Sequence, residues 1–189
     1  MHHSLRLYSK YREWFLRYYI FQAKWTRIPI AGSLVRKVAN FYGQKGSSAH
    51  LLTTEEAAEI VDSAEGLALG PCTCRAVFHN CHNPVNTEIM IGLNKNIFIE
   101  ERPQDYREIT SQEAKDILTQ SHQNGLIHTL VKCRRDFYAI CNCCSCCCVP
   151  LRLKKEYGIG KALVRSDNIV QEFKQAAING ANTPSGSRP

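Results

Sequence analysis

The chain has 189 residues, 44% of them hydrophobic, which suits one folded domain with a core and excludes wholesale disorder. Its ten cysteines are too thinly spread overall for a small disulfide scaffold. The net charge of +7 is carried by residues 1–45, with nine Lys/Arg and one acid, Glu13, whereas residues 46–189 hold fifteen Lys/Arg against sixteen acids. The basic segment therefore points to an anionic partner, and a strongly basic surface around the cysteines is excluded.

No apolar run of signal-peptide length follows the basic start, and no stretch approaches the ~20 apolar residues of a membrane span. The expectation is a cytoplasmic protein, or one peripheral to the inner face of the membrane, in which thiols stay reduced and available to metals.

Ser4 to Trp25 reads as a helix. Leu7, Tyr11, Trp14, Tyr18, Phe21 and Trp25 recur at spacings of four and three, which keeps them on one face, while Arg6, Lys10, Glu13, Arg17 and Lys24 gather on another. Such a stripe suits an anionic membrane surface, with Trp and Tyr at headgroup level and Lys/Arg beside anionic lipid. It equally suits packing on the domain or on a partner chain. Pro29 ends that element, and Gly32 to Tyr42 reads as a second helix stopped by Gly43. Residues 1–45 are thus expected as a basic helical arm, 46–179 as a cysteine-rich domain and 180–189 as a disordered tail.

A weak internal repeat follows. Thr53-x-x-Glu56 opens a helix with Ala57, Ile60 and Val61, which runs into Gly66-Leu67-Ala68-Leu69 and Cys72-Thr73-Cys74. Thr110-x-x-Glu113 opens another with Ala114, Ile117 and Leu118, which runs into Gly125-Leu126-Ile127-His128 and later Cys141-Asn142-Cys143. Ile97-Phe98-Ile99 and Phe137 to Ile140 are expected as strands, and Asn168 to Ile178 as a last helix.

Six of the eight residues from 141 to 148 are cysteines: Cys141, Cys143, Cys144, Cys146, Cys147 and Cys148. Neighbours this close cannot all pair as disulfides. Thiolates are the ligands of thiophilic iron and zinc, and several converging from one loop point to a metal centre. Upstream, Cys72, Cys74 and Cys81 form C-x-C-x6-C. Zinc sites favour paired C-x2-C or Cys/His sets, whereas C-x-C and CCC runs dominate here. The expected cofactor is a 4Fe–4S cluster, one or two of them, with zinc as runner-up; nine clustered thiols exceed the four that one cubane takes. Arg75, Arg134, Arg135 and Arg165 are candidates to neutralise an anionic centre, and His79, His82, His128 and Glu88 are lesser ligand candidates. Cys133 stands apart and reads as a buried thiol without metal.

The runs Gly70-Pro71-Cys72-Thr73-Cys74-Arg75, Glu113-Ala114 to Gly125-Leu126-Ile127-His128, and Tyr138-Ala139-Ile140-Cys141-Asn142-Cys143-Cys144-Ser145-Cys146-Cys147-Cys148 resemble a group of uncharacterised ferredoxin-like 4Fe–4S proteins of anaerobic prokaryotes. The resemblance covers roughly residues 50–170 and implies a 4Fe–4S centre. The sequence departs from the group in two ways. It holds no C-x2-C-x2-C-x3-C-P module, and Thr87-Glu88 stands where members carry Thr-Cys, leaving the upstream set one thiolate short.

These readings give an α+β domain, helices packed on a small sheet with cysteine-rich loops closing over a metal centre. Cys72, Cys74, Cys81, Cys141, Cys143 and Cys144 are the first ligand candidates, with Cys146, Cys147 and Cys148 beside them. The expected function is an electron carrier or redox partner of another protein. The alternatives are an iron–sulfur enzyme with an open iron beside Cys148 and His128, a metal or cluster delivery protein, and a structural zinc module for interaction. Nucleic acid is not an expected partner, because no binding motif accompanies the basic arm.

Overall fold

A computed structural model describes residues 2–45, 47–92, 95–133 and 136–181. In chain order its elements are α1 (His2–Ala23), α2 (Ala31–Lys45), β1 (Ser47–Leu51), α3 (Thr54–Ser63), β2 (Leu67–Pro71), α4 (Thr73–Phe78), β3 (Asn86–Ile91), α5 (Lys95–Glu101), β4 (Arg107–Ile109), α6 (Ser111–Gln123), β5 (Ile127–Cys133), β6 (Asp136–Cys143), α7 (Val149–Tyr157), β7 (Leu163–Val164) and α8 (Ile169–Ala181). The fold is α+β, with helices on a single sheet and cysteines in the loops at one end.

Side-chain caps start the core helices where the sequence places them. The Thr53 hydroxyl accepts from the Glu56 N–H, and the Glu56 carboxylate accepts from the Thr53 N–H at 2.7 Å, opening α3. Thr110 accepts from the Glu113 N–H at 3.1 Å and opens α6.

The seven strands are ordered β4-β2-β3-β6-β5-β1-β7. All neighbours are antiparallel except β1 and β7. The order β1-α3-β2-β3 recurs as β4-α6-β5-β6, and the two units interlock. The first strand of each pairs with the second strand of the other: His50 lies opposite Leu130, and Arg107 opposite Leu69. At the centre Ile89 meets Ile140. The helix–glycine–strand repeat in the sequence has this near-twofold topology as its counterpart.

Strand direction explains where the cysteines go. Both β2 and β6 run antiparallel to the β3 between them, so their C-terminal ends share one end of the sheet. Cys72 follows β2, and Cys141 and Cys143 close β6. Cys133 ends β5 opposite Asp136, whereas Ile127 at the other end of that ladder pairs with Cys143. At ~3.4 Å per residue this puts Cys133 about 20 Å from the shared end.

Helices cover both faces. Ile60, Val61, Ala114, Leu118, Ile169 and Phe173 from α3, α6 and α8 pack on Leu67, Ile89, Leu130 and Ile140. On the other face Ile97 and Phe98 of α5 pack on Ala68, Met90, Tyr138 and Ala139. Residues 97–99 are therefore helical rather than a strand. Three consecutive apolar residues fit either state, and Phe98 settles it by stacking on Tyr138, ring centroids 6.0 Å apart. Gly70 in β2 admits the Tyr106 ring, since a Cβ there would lie 2.0 Å from it.

α1 meets the domain with the face opposite its aromatic stripe. Leu16, Ile20 and Ala23 pack on Val149, Tyr157, Ile159 and Ala162. Trp14, Phe21 and Trp25 are 59%, 57% and 54% exposed, and on α2 Leu34 and Phe41 are 64% and 66% exposed. Packing of the stripe on its own domain is thereby overturned. Gly43 does not stop α2, which continues to Lys45. Of the tail expected at 180–189, Gly180 and Ala181 belong to α8 and residues 182–189 lie outside the described residues.

Candidate metal centre

Cys81, Cys144, Cys146 and Cys147 bring four Sγ atoms within 4.8 Å of one another. The α4 helix ends at His79 in a left-handed conformation (φ 49°), which turns the chain back and presents Cys81 to the 144–147 loop. Asn80 Nδ2 donates to the Cys146 carbonyl at 2.8 Å, and the Cys148 N–H donates to the Cys144 carbonyl at 3.1 Å. The Sγ separations are 3.7 Å for Cys81–Cys144, 3.9 Å for Cys81–Cys147 and 3.8 Å for Cys146–Cys147. Four thiolates at ~2.3 Å from one tetrahedral ion are about 3.8 Å apart. The donor set therefore fits a single thiophilic ion, zinc or iron. Phe78 and Leu126 give it an apolar flank.

The remaining five thiols form a second group. Cys72, Cys74, Cys141, Cys143 and Cys148 face a cavity of about 900 Å³ enclosed by α1, α2 and the sheet. Cys143 has Cys141 and Cys148 as thiol neighbours, and Cys148 has Cys74. Thr129 Oγ1 lies 3.4 Å from Cys143 Sγ. Cys141 is set apart, because its thiol donates to Glu88 Oε1 at 3.2 Å.

Arg75, only 1% exposed, sits between the groups. It donates to the Pro84 carbonyl, to Thr87 Oγ1 at 3.1 Å and to the Asn142 carbonyl at 2.8 Å, and it also contacts Cys144. Burial works against its charge, but Cys72 and Cys144 outweigh that and raise its pKa. The neighbouring thiols Cys141 and Cys148 hold Cys143 well below the ordinary thiol value, although burial opposes them. Burial raises Cys72. The neighbouring Cys143 raises Cys148, and Cys141 likewise.

Cys81 sets a pH dependence. Its slight burial raises the thiol, but the Asn83 backbone and its three thiol neighbours outweigh this and lower it to about 6. Above pH 6 Cys81 is already a thiolate, and below it a proton competes with the metal. The logarithm of zinc affinity against pH is therefore expected to steepen by about one proton as pH falls through 6. Competition with a chromophoric chelator measures this, and Cys81→Ser should remove the break.

A buried ion pair ties α1 to the site. Arg12 Nη1 and Nη2 donate to the Glu88 carboxylate at 2.8 and 2.6 Å, and Nη1 also donates to Tyr106 Oη at 2.7 Å. Both charged side chains are almost wholly buried. Glu88, a lesser ligand candidate in the sequence, is thus engaged by Arg12 and Cys141.

All nine clustered cysteines lie at one end of the sheet, as two groups. Cys81 and Cys144 lie with Cys146 and Cys147 in the close set, against which Cys74 also packs, whereas Cys72, Cys141 and Cys143 line the cavity. Cys133 is remote, and it packs partly buried beside Tyr138 and Val131. His79 and His82 are exposed and stand outside the close thiol group. His128 Nδ1 is 2.6 Å from Asn142 Oδ1, and burial lowers its pKa, so it is neutral at pH 7. Arg165 is committed to Glu56, at 2.5 and 2.8 Å, and does not neutralise the thiols. Arg134 and Arg135 lie outside the described residues. Sequence reasoning missed Arg12, Asn80, Asn83 and Asn142. The two asparagines flanking Cys81 were a visible signal; Arg12, on the inward face of a helix, was a weaker one. Among the described residues no helix is long and apolar enough to cross a membrane. Comparison with known protein families, curated proteins and solved structures gave no match.

Proposed function

We propose that the protein is an electron-carrying thiolate metalloprotein with two centres. Cys81, Cys144, Cys146 and Cys147 hold one tetrahedral ion, and Cys72, Cys74, Cys143 and Cys148 hold a 4Fe–4S cluster. The observation that carries the reading is the division of nine thiols into a tight four and a looser five. Thiolates that share one ion must crowd to about 3.8 Å. Thiolates of a cubane bind different irons and stand further apart, as a group lining a cavity can. Cys141, donating to Glu88, is the odd thiol.

A bound 4Fe–4S cluster supplies a one-electron couple. The chain's own residues set the conditions for it. Cys72, Cys143 and Cys148 exclude water by burial. Arg75 places a fixed positive charge beside Cys72 and Cys144, favouring the more reduced state. The ion at Cys81 staples the 79–85 loop to the 144–148 loop.

Anaerobically purified protein titrated with dithionite is expected to bleach in the visible and to recover on reoxidation. Cys143→Ser with Cys148→Ser should abolish this while the single ion remains. A colourless protein containing zinc alone would leave the interaction-module reading. The exposed stripe of α1, bordered by Lys10, Arg17 and Lys24, supports docking on an anionic membrane surface, where a redox partner protein could be met. That placement is peripheral to the inner, cytoplasmic face.

A further inference from the structure

The cavity of about 900 Å³ has features that neither centre requires. Its volume falls in the range of small-molecule sites. Its walls are apolar: Phe15, Leu16 and Tyr19 from α1, and Val35 and Ala39 from α2. Its mouth is rimmed by Tyr18, Phe21, Trp25, Leu34 and Val38, all exposed, so it opens on the same aromatic face.

At its depth are two donors with no acceptor among the described residues, the Thr73 hydroxyl and Arg12 Nε. Both residues line the cavity, and both are 4% exposed. A buried donor without an acceptor is uncommon and costly. The remaining nitrogens of Arg12 are committed to Glu88 and Tyr106, and Glu88 cancels its charge. An anionic head would meet no uncompensated cation there. A neutral carbonyl oxygen would accept from both donors.

We infer that this cavity binds a lipophilic molecule with an apolar, chain-bearing body and a neutral carbonyl head, the head lodging against Thr73 and Arg12 beside Cys72 and Cys74. The inference goes beyond the electron-carrier reading and requires that the cluster assigned to Cys72, Cys74, Cys143 and Cys148, which line the same cavity, leave its α1–α2 side open. The occupant enters between α1 and α2, where the rim is apolar enough to admit it from a lipid phase.

The test uses 6-dodecanoyl-2-dimethylaminonaphthalene, an environment-sensitive ketone with a long chain, titrated into the metal-loaded full chain. Saturable binding with blue-shifted emission is expected. Ala39→Trp, which fills the cavity from α2, should weaken binding at least about tenfold. Thr73→Val, which keeps the shape and removes the donor, should weaken it about fivefold, the range of one hydrogen bond. Trp14→Glu alters the exposed stripe outside the cavity and should leave affinity unchanged. Metal content, measured on each variant, confirms an intact fold separately from ligand binding. The inference is overturned if the wild-type chain shows no saturable binding. It is equally overturned if Trp14→Glu abolishes binding while Ala39→Trp and Thr73→Val retain it, because the probe would then lie on the surface.

Discussion

Serine at both Cys144 and Cys147 is expected to remove one metal ion per chain and to leave the centre proposed at Cys72, Cys74, Cys143 and Cys148 loaded. These two thiols supply half of the close set, and their Sγ atoms lie 3.7 and 3.9 Å from Cys81. No histidine or carboxylate joins that set among the described residues, so no neighbour replaces them. The binding free energy of a structural thiolate-bound ion is on the order of 10 kcal/mol, and it adds to folding stability because the unfolded chain does not offer the site. The variant should therefore melt at much lower temperature and lose the protease resistance of the 79–85 and 144–148 loops. Elemental analysis with thermal melting checks both. The converse pair, Cys143→Ser with Cys148→Ser, should keep that ion. If either pair strips all metal at once, the nine thiols form one shared centre and the division fails.

The second large effect belongs to Glu88. Glu88→Gln leaves the Arg12 guanidinium buried without its counter-charge, and removing one partner of a buried pair typically costs about 3–5 kcal/mol. The loss should appear as a lower denaturant midpoint. Because Arg12 is the polar anchor of α1 on the sheet, α1 should also become the first segment cut by protease. Arg12→Met combined with Glu88→Met should recover most of the stability, since an apolar pair of similar volume removes both desolvation penalties. Equal instability in the single and double variants would show that the pair does not act as a unit.

The cysteine cluster was legible in the sequence because thiol density is a local signal: Cys141 to Cys148 point to a thiolate set able to hold a metal without any tertiary information. Their partition was not legible. It depends on β3 lying between β2 and β6, which brings Cys72 to the same end as Cys143, and on the left-handed turn at His79, which aims Cys81 at the downstream loop. Adjacent residues such as Cys143 and Cys144 serve different groups because a strand ends between them. The capped helices at Thr53 and Thr110 were legible for the same local reason as the thiols. Ile97 to Ile99 was not, since three apolar residues carry no period and Phe98 is placed by Tyr106 and Tyr138. The α1 stripe had the right period but the wrong destination. Periodicity identifies a face without saying what covers it, and the buried face is instead the one with Arg12, Leu16 and Ala23. An arginine among apolar residues is normally assigned to solvent, and Glu88, 76 residues away, together with Tyr106 makes its burial tolerable.

The most direct measurement is metal and acid-labile sulfide analysis of anaerobically purified protein, run beside the Cys144→Ser, Cys147→Ser variant. The account predicts about four sulfides and about four irons per chain, plus one further ion of zinc or iron. The variant should lose that ion and keep the sulfide. A single zinc with no sulfide would contradict it, and so would a cluster that disappears from the variant.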